Sequence, residues 1–170
     1  MFSKSTYAYG AFIIISAAFL FQLLEFLINL FGEYYIQLFF YLLCIFLASF
    51  IFVYSLYKKN SFKKLALLSM ILMLGAILIT FQKIFAEKTH FIMYGILGYL
   101  AMKDSYNYFS NITKSILLSI LFTLAISTGD EIFQGILPYR VGSISDICIN
   151  FIGGSLGIST FINLTASHKL

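Results

Sequence analysis

Long runs of apolar residues alternate with short polar stretches along the chain. A helix needs about 20 residues to cross the ~30 Å hydrocarbon core of a bilayer, and the runs approach that length. Apolar runs this long are typical of transmembrane helices. The pattern therefore predicts an all-α, polytopic transmembrane bundle of about six spans, over residues 8–31, 35–57, 64–82, 86–103, 114–136 and 143–164.

Two of these spans carry ionisable residues near one end. The fourth has only twelve uncharged residues in a row, and it reaches spanning length by including Glu87, Lys88 and His90. The fifth likewise includes Asp130 and Glu131. Ionisable side chains are costly inside a bilayer and usually have a function there, so these helix ends are candidate sites.

The composition excludes a soluble protein. Of the 170 residues, 61% are hydrophobic and only 11% are charged, and the mean hydropathy is +0.94. Roughly a quarter of an ordinary globular chain is charged. The net charge of +4 does not indicate a nucleic-acid partner, because the lysines are too few and too clustered to form a binding groove. The remaining class is a single integral membrane domain, residues 1–170, whose partners are membrane lipids.

The basic residues predict the orientation of the bundle. Cytoplasmic loops of membrane proteins carry an excess of lysine and arginine. With six spans and a cytoplasmic N-terminus, eight basic residues lie on the cytoplasmic side and three lie outside. We therefore expect both termini in the cytoplasm. The eight are Lys4, Lys58, Lys59, Lys63, Lys64, Lys103, Lys114 and Lys169, and the three are Lys83, Lys88 and Arg140.

Most of the other polar residues fall on the external side in this topology. Helical spacing places them on shared faces, because Glu87 and His90 are three residues apart and so are Ser143 and Asp146. Pro138 should end the fifth helix, so that a short turn presents Arg140 beside the acidic helix ends. We expect one extracytoplasmic pocket whose ligand-binding residues are Glu87, Lys88, His90, Tyr94, Glu131, Gln134, Arg140, Ser143, Asp146 and Asn150.

Two further stripes have structural interpretations. Gln22, Glu25 and Asn29 share one face of the first helix, and we expect that face to look into the bundle. Gly153-Gly154 and Gly157 form a stripe of small residues, which allows close helix packing.

Arg140 is the only arginine among eleven basic residues. Lysine is used at every other position that needs a positive charge, so a lone arginine indicates a need for the planar guanidinium group. That group binds a carboxylate or a phosphate through two parallel hydrogen bonds. Two interpretations stay open. Arg140 binds an anionic ligand, or it forms a salt bridge with Glu131 or Asp146 that ties down the external turn.

The same residues also suggest catalytic chemistry. His90 and Glu131 are candidates for a general acid or base, with Glu87 orienting the histidine ring. A triad of Ser143, Asp146 and His90 lacks the nucleophile elbow, and a serine directly before a helix is usually an N-cap. One histidine is too few for a typical zinc site, so we expect neither a metal nor a cofactor.

These residues resemble two motifs of the VanZ-like membrane proteins. Residues 87–98 are similar to that family's first motif and residues 131–157 to its longer second motif, which together cover about two-fifths of the chain. The matching positions are Glu87-Lys88-Thr89-His90-Phe91, Tyr94 and Leu97-Gly98, followed by Glu131-x-x-Gln134, Pro138-x-Arg140 and Ser143-x-x-Asp146-x-x-x-Asn150-x-x-Gly153-x-x-x-Gly157.

The resemblance implies a multi-span protein of the bacterial cell membrane and a site, but it supplies no reaction and no cofactor. The family is named for a protein associated with low-level resistance to the glycopeptide antibiotic teicoplanin. The acid–lysine pair stands one residue closer to the histidine here than in the family's usual pattern.

Two functions from different classes fit these residues. In the first, the external pocket binds an anionic lipid, a cell-wall precursor or a glycopeptide antibiotic, and so gives teicoplanin resistance. In the second, the chain is a membrane-embedded enzyme that acts on a lipid or a lipid-linked envelope precursor. We favour the first because the sequence contains no complete catalytic set. A transporter fits less well, because the polar residues lie at one end of the bundle and not at the membrane midplane.

Overall fold

The computed structural model describes residues 1–82 and 85–165, apart from the side chain of Ala86. Those residues form seven α-helices and no strand, so the all-α prediction is confirmed. Lys83 and Lys169, two of the basic residues that predict the orientation, lie outside the described residues. The helices are α1 (Lys4–Ser16), α2 (Leu20–Phe31), α3 (Glu33–Tyr57), α4 (Phe62–Phe81), α5 (Phe85–Phe109), α6 (Ile112–Ile136) and α7 (Ile144–Thr165).

Five of the six predicted spans coincide with single helices, α3 to α7. Their bounds agree within two residues, except that α5 continues to Phe109. By length and hydropathy, α3, α4, α6 and α7 can cross a membrane, and among the described residues the bent α1–α2 pair is either a broken fifth span or a re-entrant loop. α5 is less apolar because it contains Glu87, Lys88 and His90. A sixth crossing, by α5, therefore stays a prediction.

The prediction of one continuous helix over residues 8–31 is wrong. The chain bends by 64° between α1 and α2. Ser16 is completely buried, and its hydroxyl donates to the carbonyl oxygen of Ile13 at 2.7 Å. The amide of Ala18 bonds to the carbonyl oxygen of Ile15, three residues back, so the four-residue pattern of the α-helix stops here. Hydroxyl groups that bond back to the preceding turn bend helices.

The polar side of α2 faces outwards. Gln22, Glu25 and Asn29 are all exposed, so the expectation that they look into the bundle is wrong. α2 packs on α3 and α5 instead. Gly32 is the single residue between α2 and α3, and its φ of +87° is readily adopted by a residue without a Cβ. The chain therefore enters α3 directly after α2.

α5 is the central helix of the bundle. It packs against α1, α2, α6 and α7, and Tyr94, Leu97, Ala101 and Met102 on it are completely buried. Polar residues within a membrane are stable where other helices cover them. The neighbouring helices thus cover α5, which is too polar to face lipid on all sides.

Glycines bring α5 and α7 into close contact. A methyl group at Gly98 would overlap the carbonyl oxygen of Gly154. A methyl group at Gly157 would likewise overlap the carbonyl oxygen of Gly95. Small residues allow helix backbones to approach in this way. The interpretation of Gly153 and Gly157 as a packing stripe is therefore confirmed, and both helices begin at the same end of the bundle.

The lysine-bearing helix ends meet at the opposite end. There the Thr6 hydroxyl and the Ser3 amide both donate to Asp104 Oδ2 at 2.7 Å, just beyond the predicted span 86–103. Partial burial alone would raise the pKa of Asp104, but the hydrogen bonds from Thr6 and Ser3 outweigh it and hold the pKa below its ordinary value. This contact between α1 and α5 is therefore complete at neutral pH and weakens only as acid protonates the carboxylate.

The close contact of α5 and α7 predicts that Gly157→Ala destabilises the protein. The added methyl group has to move backbone atoms of α5, and overpacking of this kind costs about 1–3 kcal/mol. Gly75→Ala is the matched control, because the nearest atom to its methyl group is Leu156 Cδ1 at an ordinary 3.6 Å. Thermal unfolding in detergent should show a lower midpoint for Gly157→Ala alone. Equal midpoints for the two variants would contradict the close contact.

Candidate functional site

A polar cavity of about 220 Å³ lies where α5 and α7 begin and α6 ends. The turn between α6 and α7 and one residue of α2 complete its wall. The polar lining consists of Glu87, His90, Glu131, Gln134, Arg140, Asp146 and Asn150, and the apolar lining consists of Phe21, Tyr139, Val141 and Ile149.

The structure brings seven of the ten expected ligand-binding residues to this one cavity. They are the seven polar lining residues named above. The other three, Lys88, Tyr94 and Ser143, do not line it. Each of these three instead holds a neighbouring part of the structure in place.

Lys88 turns away from the cavity towards α3. Its Nζ donates to the Tyr41 hydroxyl at 2.8 Å and lies 5.2 Å from the centre of the Tyr41 ring. The residue is only 6% exposed. A lysine stem reaches far from its own backbone, so helical spacing does not decide where the charge lies. Lys88 fastens α5 to α3.

Asp130 is the residue that the predicted site left out. It is completely buried, and its Oδ2 accepts a hydrogen bond from the Tyr94 hydroxyl at 3.0 Å. The same oxygen lies 3.5 Å from His90 Nδ1. Asp130, and not Glu87 as expected, is therefore the carboxylate beside the histidine ring, and Tyr94 positions Asp130. The signal was present in the sequence, because Asp130 stands four residues before Gln134 and shares its helix face.

Asn150 and Ser127 extend this polar network to α7. The side-chain amide of Asn150 donates to Ser127 Oγ at 3.1 Å, and both residues are buried. In the described part of the chain, neither Asn150 Oδ1 nor Asp130 Oδ1 has a hydrogen-bond partner. Buried polar atoms are normally paired. The Asn150 oxygen is thus an unused acceptor on a residue that lines the cavity.

Arg140 is held in place by neutral partners. Its Nε donates to Gln134 Oε1 at 3.2 Å, and one of its terminal nitrogens donates to the same oxygen. The guanidinium carbon lies 5.1 Å from the centre of the Phe21 ring. Across residues 1–82 and 85–165, no carboxylate lies within 4.0 Å of the guanidinium. The salt bridge to Glu131 or Asp146 that the sequence left open is therefore absent from this region.

The break between α1 and α2 contributes to the site. Because the helix stops near Ala18, the carbonyl oxygen of this residue is free to bond elsewhere, and the Tyr139 hydroxyl donates to it at 2.7 Å. This contact ties the α6–α7 turn to the start of α2. Phe21 thereby comes to lie under Arg140.

Ser143 positions the start of α7. Its amide donates to Glu131 Oε2 at 3.0 Å, and its hydroxyl accepts from the amide of Ser145 at 3.2 Å. The second contact is an N-cap, as expected from the sequence. Ser143 Oγ also contacts Ser145 Oγ at 2.6 Å. The serine thus serves the helix start and stands outside the cavity that contains His90.

Three carboxylates line the cavity: those of Glu87, Glu131 and Asp146. None of them has a cationic side chain within 4.0 Å among the residues that the structure describes. In the same residues, no three His, Cys, Asp or Glu side chains are grouped so that they could hold a metal ion. The cavity therefore contains one arginine and three carboxylates that do not neutralise each other by direct contact.

A shallow groove of about 500 Å³ adjoins the cavity. The two share Glu131, Arg140 and Val141, so the groove continues directly from the polar site. The rest of its lining is mostly apolar or small: Thr128, Ile132, Gly135, Gly142, Ser143, Ile144 and Ile147.

A family model described as VanZ/LLP1 matches residues 34–165, which is 132 of the 170 residues. The match contains both sequence motifs and all of the polar lining, whereas α1 and α2 precede it. No curated protein and no solved structure gives a significant match. Since the family model covers more than half of the chain, the chain belongs to the VanZ/LLP1 family.

Proposed function

We propose that this chain is a cell-envelope membrane protein whose polar cavity faces the extracytoplasmic side and binds an anionic group. A membrane lipid, a cell-wall precursor or a glycopeptide antibiotic carries that group, and in the last case binding gives teicoplanin resistance. The observation that carries the proposal is Arg140, a guanidinium oriented by Gln134 and Phe21 with no carboxylate in contact among the residues that the structure describes.

The surroundings of Arg140 support this role. A neutral amide oxygen orients the guanidinium without cancelling its charge, so at least one terminal nitrogen keeps donors for a phosphate or a carboxylate. Arginine recognises such groups through paired hydrogen bonds. The lysines at the far end of the bundle favour an extracytoplasmic position for the cavity.

The size of the cavity limits what enters it. Pockets that enclose drug-sized ligands measure roughly 300–1,000 Å³, whereas this one measures about 220 Å³. A headgroup or a terminal carboxylate fits this volume, while a glycopeptide antibiotic could insert only one of its groups.

Arg140→Lys should weaken anion binding about tenfold, because lysine keeps the charge but loses the planar fork. Thermal stabilisation of the purified protein by glycerol phosphate measures the binding, and the teicoplanin susceptibility of producing cells measures protection. Lys63→Arg, at the far end of the bundle, is the control and should behave as the parent does. The arginine role is wrong if Arg140→Lys binds and protects as well as the parent.

The contact between His90 and Asp130 favours a second candidate function, a membrane-embedded enzyme acting on a lipid or a lipid-linked envelope precursor. Nδ1 lies on the side of Asp130, so in this candidate Nε2 is the ring nitrogen that acts on the substrate as an acid or a base. Glu131 lines the same cavity and is the alternative acid or base. Arg140 would stabilise negative charge that develops on the substrate.

Lipid extracts distinguish the two candidates. If the chain is an enzyme, cells that produce the parent should contain a changed lipid species that mass spectrometry detects, and His90→Ala should abolish the change. Asp130→Asn should reduce it, because an asparagine holds the histidine ring less firmly. Glycerol phosphate should still stabilise the His90→Ala protein. Identical lipid profiles with and without the parent would contradict catalysis.

A further inference from the structure

We infer that the ligand of this cavity is a zwitterionic phospholipid headgroup that carries a phosphate and a primary ammonium, as phosphoethanolamine does. The inference rests on the proposed function, in which Arg140 binds an anion. It adds that the three carboxylates bind a cation on the same ligand.

The charges in the cavity do not suit a simple anion. Glu87, Glu131 and Asp146 line it together with Arg140, and the described residues provide no direct cationic partner for any of the three. An anion at Arg140 would therefore be repelled by the nearby carboxylates, and a simple cation would be repelled by Arg140. A ligand with both charges satisfies both kinds of group.

One unpaired acceptor points to a ligand that donates hydrogen bonds. Asn150 is only 1% exposed, lines the cavity, and has no partner for its Oδ1 in the described region. A primary ammonium has three N–H donors and matches an arrangement of carboxylate and amide oxygens. A quaternary ammonium, as in choline, has no such donor, so the acceptors favour the primary amine.

The adjoining groove favours a lipid over a soluble compound. Ile132, Val141 and Ile144 on its walls are 61%, 84% and 82% exposed. Because the groove shares Glu131 and Arg140 with the cavity, a headgroup in the cavity places its chains along this apolar surface. Burying apolar chains there adds binding energy that a free headgroup lacks.

Competition among lipids tests the inference. The purified full-length protein is equilibrated with equal amounts of phosphatidylethanolamine, phosphatidylglycerol and phosphatidylcholine that have identical acyl chains, and native mass spectrometry measures the retained lipids. The parent should retain phosphatidylethanolamine about tenfold over each of the others. Soluble phosphoethanolamine should compete only at much higher concentration than the lipid.

Charge variants show which residues set the preference. The double variant Glu131→Gln, Asp146→Asn should lose the preference for phosphatidylethanolamine and shift towards phosphatidylglycerol. Arg140→Gln should retain all three lipids more weakly than the parent, because the phosphate loses its partner. Glu33→Gln makes the same kind of change on α3, where Glu33 contacts Gln37, and should leave the preference intact. Unchanged thermal midpoints confirm that each variant is folded.

The outcomes separate this inference from the proposed function. If the parent prefers phosphatidylglycerol and Arg140→Gln abolishes that preference, the anion site stands and the zwitterion inference is wrong. If soluble phosphoethanolamine competes as well as the lipid does, the ammonium and phosphate chemistry stands and the lipid source is wrong. If Arg140→Gln retains the lipids as the parent does, both the inference and the proposed function are wrong.

Discussion

A carboxyl group that is buried in an apolar bundle needs polar partners from the protein itself. Asp130 is such a group, and the packing of the helices around it depends on supplying those partners. It is completely buried near the end of α6. Both of its contacts, with Tyr94 and with His90, come from α5, so they fix the rotation and the depth of α5 against α6. The most polar of the long helices is thereby held at the centre, where its neighbours shield it from lipid.

The positions of the helices could be predicted from the sequence where the local content of apolar residues determines them. Hydropathy reports which segments are apolar over a membrane's thickness, and it therefore located α3 to α7. The break after Ser16 depends on one hydroxyl bond and on a contact between Ala18 and Tyr139, residues that are 121 positions apart. No local pattern contains the second contact. The bend was missed for this reason, and with it the place of Phe21 in the site.

Helical spacing predicted which side chains share a face, and that was enough to bring seven polar residues into one expected site. Spacing alone does not decide which of two adjacent carboxyl groups points inwards. Successive residues are rotated by about 100° around a helix, and here both carboxyl groups are buried, Asp130 against α5 and Glu131 in the lining of the cavity. The direction of a long side chain is equally undetermined, as Lys88 shows by reaching Tyr41 on α3.

Opposite charges in the cavity are kept apart by their own neutral partners. Gln134 and the Phe21 ring engage the guanidinium of Arg140, while the backbone amide of Ser143 engages Glu131. A salt bridge between Arg140 and Glu131 would neutralise both groups and leave nothing for a ligand to recognise. Maintaining both charges without direct contact costs desolvation energy, which binding of a ligand with complementary charges would offset. The separation of the charges, more than their number, is the reason why we propose a binding site at this end of the bundle.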